Sequence, residues 1–113
     1  GYRLGCVTSK ASQFTIPLLR DLGIHDEFAI VVSGDTLAVK KPDPQPLLHA
    51  AAHLGVAAED SLMIGDSRSD VSAARAAGFQ IVCVSYGYNH GEDIRNYSPD
   101  AVIDSMAELP ALL

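Results

Sequence analysis

Apolar positions in this chain fall into two kinds of short block that take turns along its 113 residues. Residues 3–7 (RLGCV), 28–32, 62–64, 81–84 and 101–103 are compact apolar runs bounded by glycine or polar positions, the pattern of buried strands. Between them, residues 11–22, 45–54 and 69–77 carry apolar side chains at helical spacing. Gly23, Gly55 and Gly78 follow these segments at the places where a left-handed residue ends a helix. The stretch KKPDP (40–44) is a loop, because proline restricts the residue before it and donates no hydrogen bond. A second loop, SYGYNHGED (85–93), is rich in glycine, and SMAELPALL (105–113) reads as a closing half-helix. Strand alternating with helix predicts a mostly parallel sheet covered by helices, an α/β three-layer sandwich forming one domain over residues 1–113.

Composition narrows what such a domain does. The formal charge of −6 argues against a nucleic-acid surface or an anionic membrane surface, both of which need a basic patch. A small anionic substrate stays compatible, since one local lysine outweighs a diffuse net charge. No apolar stretch approaches the roughly 18 residues of a membrane span, and no signal peptide is visible. Cys6 and Cys83 each lie inside an apolar run and read as free, buried thiols of a reducing compartment, which places the protein in the cytoplasm. The chain is already a strand by its third residue and has no initiator methionine, so it reads as a fragment or a processed piece.

In an open parallel sheet, ligands bind at the carboxyl ends of the strands. Thr8 and Ser9 end the first strand, Lys41 follows the second, and Asp66 ends the third, with Asp70 four residues on. Taken singly, each has a structural explanation: Thr8, Ser9, Asp66 or Ser67 as a helix cap, Asp70 in a first helical turn, Lys41 as a solvated loop charge. Their placement on one edge is what points to function. A hydroxyl and an ammonium suit phosphate oxygens, and two carboxylates offer hard oxygen ligands for Mg²⁺. Gly65 allows close backbone approach before the first carboxylate. His49 and His53 stand four apart on one predicted helix, a metal-capable spacing. No cysteine or glutamate completes a zinc set with them, His25 or His90, so all four histidines read as surface or packing residues.

VTSK, KKPDP and GDSRSD, in that order, resemble the second, third and fourth motifs of the haloacid dehalogenase superfamily of phosphatases. SGDTLAVKKPDPQPLLHAAAHLG and SYGYNHGEDI look more narrowly like its phosphoglycolate phosphatase branch. The resemblance implies a Rossmann-like core and hydrolysis of a small phosphomonoester, foremost 2-phosphoglycolate, through an aspartyl phosphate with Mg²⁺. It implies that Thr8 binds phosphoryl oxygens, that Ser9 stands at a substrate contact where relatives often have asparagine, and that Lys41 balances the nucleophile and the phosphate. Asp66 would ligate Mg²⁺ directly, and Asp70 would ligate it or orient a metal-bound water. Nothing here matches the family's first motif, the Asp-x-Asp that supplies nucleophile and acid/base, nor its cap region. The chain therefore resembles the C-terminal part of the core, without the central strand, and is expected to be inactive alone and prone to self-association through uncovered edges. Related readings are a phosphomutase or dehalogenase of the same superfamily. Readings of other classes are a non-catalytic scaffold and a receiver-like signalling domain, the last disfavoured because receivers place their acids before the threonine and lysine.

Overall fold

The computed structural model describes residues 2–113, leaving Gly1, where the sequence opens, outside the description. Five strands alternate with three α-helices as the apolar blocks require: β1 (Gly5–Val7), α1 (Ser12–Asp21), β2 (Ile30–Val32), α2 (Gln45–Leu54), β3 (Leu62–Gly65), α3 (Arg68–Ala77), β4 (Gln80–Val84) and β5 (Ala101–Ile103). Helices α2 and α3 stop at Gly55 and Gly78, which take φ of +71° and +82°, a conformation that costs glycine nothing. Strands β1 and β2 are shorter than their apolar runs, ladder pairing being confined to three residues of each. The closing half-helix is a 3₁₀ segment, Met106–Leu112, with Pro110 inside it and so one backbone donor fewer.

Every strand pairing is parallel. Strand β1 pairs with β2 (Cys6 opposite Val31), β3 with β4 (Ile64 opposite Val82), and β4 with β5 (Cys83 opposite Val102). As the absent central strand of the family resemblance leads one to expect, the sheet is in two pieces, β1–β2 and β3–β4–β5, with no ladder between the first and third strands among the described residues. Val7 of β1 and Met63, Ile64 and Gly65 of β3 line the same cavity, so the free edges of β1 and β3 face each other. Helix α2 joins the pieces by packing on β1, β2 and α3. From β1 to β2 the chain steps away from the gap, and from β2 to β3 it steps back across it. Helices α2 and α3 pack on each other and on the strands; with the right hand that parallel crossovers take, the opposite step from β1 to β2 assigns α1 to the other face, the third layer.

The core gathers under α3. Leu47, Val71, Ala73, Ala74, Ala77, Ile81, Cys83 and Ile94 form its buried cluster. Alanine along the inner face of α3 lets the helix lie close on β4. No helix among the described residues is long and apolar enough to cross a membrane.

Candidate functional site

Lys41 sits where the loop between β2 and α2 passes the end of β1. Its ammonium donates to Asp70 Oδ1 at 2.7 Å and to the carbonyl oxygen of Val7 at 3.3 Å. The peptide from Lys41 to Pro42 is cis. Both partners of the Lys41–Asp70 pair are largely shielded from solvent, so the attraction is screened much less than at a surface.

Asp70 is held from its other side as well. Its Oδ2 accepts the N–H of Asp66 at 2.9 Å, the N–H of Ser67 at 3.2 Å and the Ser67 hydroxyl at 3.2 Å. It thus satisfies donors at the start of α3, the capping role that its place in the first helical turn suggests. A Cβ on Gly65 would stand 2.6 Å from Asp70 Oδ2, so the strand end must be glycine for this carboxylate to fold back over it. Burial pushes the Asp70 carboxyl up, but the charge and hydrogen bond of Lys41 outweigh it and hold the group below its ordinary range.

Asp66 differs. It ends the β3 edge, lines the cavity, and accepts one hydrogen bond, from the N–H of Tyr88 to its Oδ2 at 3.0 Å. No lysine, arginine or histidine among the described residues forms an ion pair with it, since Lys41 is taken by Asp70. Partial burial raises its carboxyl above the ordinary value, and the Asp70 charge adds to this against the opposing Tyr88 N–H. The site therefore has one carboxylate paired with a lysine and one with no side-chain counter-ion among the described residues.

The cavity where these groups meet measures about 310 Å³, and Tyr86, Val84 and Met106 complete its wall beside Lys41, Asp66 and Asp70. Thr8 lies at the same strand edge, its N–H donating to Val32 O at 2.9 Å, but it is not part of that wall. Its Oγ1 accepts the N–H of Lys10 at 3.2 Å, which leaves the hydroxyl proton free to donate. Ser9 is exposed beyond it. The structure thus brings Lys41, Asp66 and Asp70 together and leaves Thr8 and Ser9 at the rim. The loop 85–93, read from sequence as glycine-rich and as part of the family resemblance but without a site role, supplies the Tyr88 N–H and the Tyr86 wall; Gly87 is the signal for that close approach.

Other groups do less. Burial pushes the Cys83 thiol up to about 11 and the Cys6 thiol in the same direction, so neither offers a thiolate at neutral pH. His49 and His53 are exposed on α2, and His90 packs against Tyr88 with the rings tilted by 58° and their centres 4.7 Å apart. Among the described residues no three His, Cys, Asp or Glu side chains gather as a metal cluster. Asp66 and Asp70 make at most half of one. The donor set fits Mg²⁺ in kind, hard carboxylate oxygens on the wall of one cavity, with Asp66 the carboxylate not paired to a lysine.

The sequence pattern of the haloacid dehalogenase-like hydrolases matches residues 1–84. Over all 113 residues the chain is 70% identical to a phosphoglycolate phosphatase of Nitrosococcus oceani, covering 50% of that protein. A solved structure of a predicted phosphoglycolate phosphatase from Haemophilus somnus matches 99% of the chain with a TM-score of 0.95 at 33% identity, over 50% of its own length. CbbY from Rhodobacter sphaeroides, solved in complex with phosphate, matches 96% of the chain and 49% of its own with a TM-score of 0.84 at 29% identity. The chain spans about half the length of the curated relatives it matches.

Proposed function

Because the chain belongs to the haloacid dehalogenase-like hydrolases, we propose that it is the C-terminal portion of the core domain of a cytoplasmic phosphatase that hydrolyses a small phosphomonoester, foremost 2-phosphoglycolate, with Mg²⁺. The observation that carries this reading is Lys41 held between Val7 O and Asp70, with the Asp66 carboxylate on the wall of the same cavity. An ammonium has three donors; with two engaged, the third is left for a phosphoryl oxygen at the cavity. That oxygen gains charge as the phosphoryl group transfers, and a pre-set ammonium stabilises it without rearranging. Asp70 holds the Lys41 ammonium in place. Thr8 donates its hydroxyl proton to a second phosphoryl oxygen from the rim. Asp66 would hold the Mg²⁺, which would supply neutralisation of the phosphate's own charge.

None of these residues is a competent nucleophile. Thr8 Oγ1 has no base hydrogen-bonded to it among the described residues, and both thiols are pushed toward their neutral form. The nucleophilic aspartate, and with it the aspartyl-phosphate step, is assigned to the family's first motif, outside this chain. Phosphate release from 2-phosphoglycolate by the whole protein tests the reading. We expect Mg²⁺-dependent turnover that falls about 100-fold or more in Lys41→Ala, the size of effect seen when one charge-stabilising donor is removed. Turnover indifferent to Lys41→Ala would overturn it.

A further inference from the structure

The loop after β4 folds onto the start of α3 through contacts that the proposed chemistry does not use. Asn89 is buried, with 6% of its surface exposed. Its Oδ1 accepts the N–H of Arg68 at 3.0 Å and its Nδ2 donates to Glu92 O at 3.4 Å. Arg68 is the first residue of α3, and its N–H has no partner inside the helix; Asn89 therefore caps α3 from another element, 21 residues away. One residue before Asn89, the Tyr88 N–H donates to Asp66 Oδ2 at 3.0 Å. One residue earlier still, a Cβ on Gly87 would overlap the Asp66 side chain and stand 2.5 Å from that same oxygen. Gly87 does not adopt a left-handed φ, so what the position demands is space rather than an unusual backbone.

Three consecutive residues thus act on one carboxylate by different means. Asn89 anchors the loop, Tyr88 donates, and Gly87 leaves the room in which the donation is possible. Resting on the reading that Asp66 holds a divalent cation, we infer that Asn89 and Gly87 are positioning residues, which orient the Asp66 carboxylate for that cation through the Tyr88 N–H. With Oδ2 fixed, the other oxygen is presented in one orientation instead of being spread over rotamers. Partners that orient a ligating group are worth roughly 10–100-fold in metal affinity when they are lost.

Mn²⁺ titrated into the ¹⁵N-labelled chain reports this directly, because a bound paramagnetic ion broadens nearby amide signals even at weak affinity. The unmodified chain should lose the Gly65, Asp66 and Tyr88 signals first. Asn89→Ala and Gly87→Ala should each need at least about tenfold more Mn²⁺ for the same broadening. Tyr97→Phe removes a neighbouring hydrogen bond to Glu92 without touching Asp66, and should leave the titration unchanged. Asn89→Ala also strips a helix cap; should it fail to fold, Gly87→Ala, which keeps that cap, decides. Broadening in Gly87→Ala at the Mn²⁺ level of the unmodified chain, with Asp66→Asn abolishing it, would overturn the positioning role and keep Asp66 as the ligand. Unchanged broadening in Asp66→Asn would overturn both.

Discussion

Strands β1 and β4 contribute to one cavity, through Val7 and Val84, yet they stand in very different surroundings. Ile81, Val82 and Cys83 of β4 are buried, covered by the alanine face of α3 and flanked by β3 and β5. In β1, Gly5 is exposed and Cys6 and Val7 are only half-buried, because one edge of the strand has no neighbour. Helix α1 repeats the contrast with α3. It buries only Thr15 and Leu19, while Phe14, Leu18 and Leu22, four residues apart, leave an apolar stripe in solvent, with Phe14 60% and Leu22 62% exposed. The β3–β4–β5 unit, which bears the acidic pair, is well packed at its centre, although β3 is only half-buried and keeps one unpaired edge. The β1–β2 unit, which bears Thr8, is less well covered. The two are held together by α2 and by the Lys41–Asp70 pair, which is at once a structural tie and the proposed phosphate-binding charge.

The largest expected effect comes from cutting that tie. Asp70→Asn leaves Lys41 shielded without its counter-ion and weakens the bonds at the start of α3, so denaturant unfolding should show a loss of about 3 kcal/mol, the low end for breaking a buried pair. Asp66→Asn removes no ion pair and should stay within about 0.5 kcal/mol of the parent. Equal losses would mean that the two carboxylates share one structural role.

A smaller effect separates the units by pH. Asp100 accepts the Ile81 N–H at 2.8 Å and pairs with Arg75, and that backbone bond, with the guanidinium, holds its carboxyl below the ordinary value. A depressed carboxyl contributes stability that is present above the unfolded pKa of about 3.9 and fades as pH falls through the folded value. Since Asp100 is well exposed, solvent screening keeps the term below about 1 kcal/mol. Unfolding midpoints of Asp100→Asn and the parent should converge as pH falls below 4, and parallel curves would remove Asp100 from the account.

The smallest change in stability is expected on the less covered unit. Phe14→Ser with Leu22→Ser should alter unfolding by no more than about 0.5 kcal/mol, since both side chains are already in solvent. We propose that the self-association expected of this chain also uses this apolar stripe, so the same pair should lower the mass read by light scattering. Unchanged mass would place any association elsewhere, on the open edges of β1 and β3.

What the sequence discloses follows the range of each interaction. Alternation of strand and helix, and the glycine stops at Gly55 and Gly78, depend on neighbours within a few residues and are legible. The meeting of Lys41 with Asp66 and Asp70 is legible too, because a parallel sheet sends its strand ends to one edge. The division of labour within that group is not. Nothing local says that Lys41 pairs with Asp70, 29 residues away, and not with Asp66. The grip on Asp66 is harder still to read, since its donor is a backbone N–H 22 residues on. The break in the sheet is invisible to periodicity, which reports the faces of a strand and not its neighbours.

The central claim is that this chain gathers a phosphate-binding lysine and a metal-binding carboxylate without a nucleophile. Phosphate release by the purified 113-residue chain, given 2-phosphoglycolate and p-nitrophenyl phosphate with Mg²⁺, tests it most directly. No turnover above the buffer rate is expected. Turnover that survives repurification and disappears in Asp66→Asn would contradict the account, because a nucleophile would then lie among these residues.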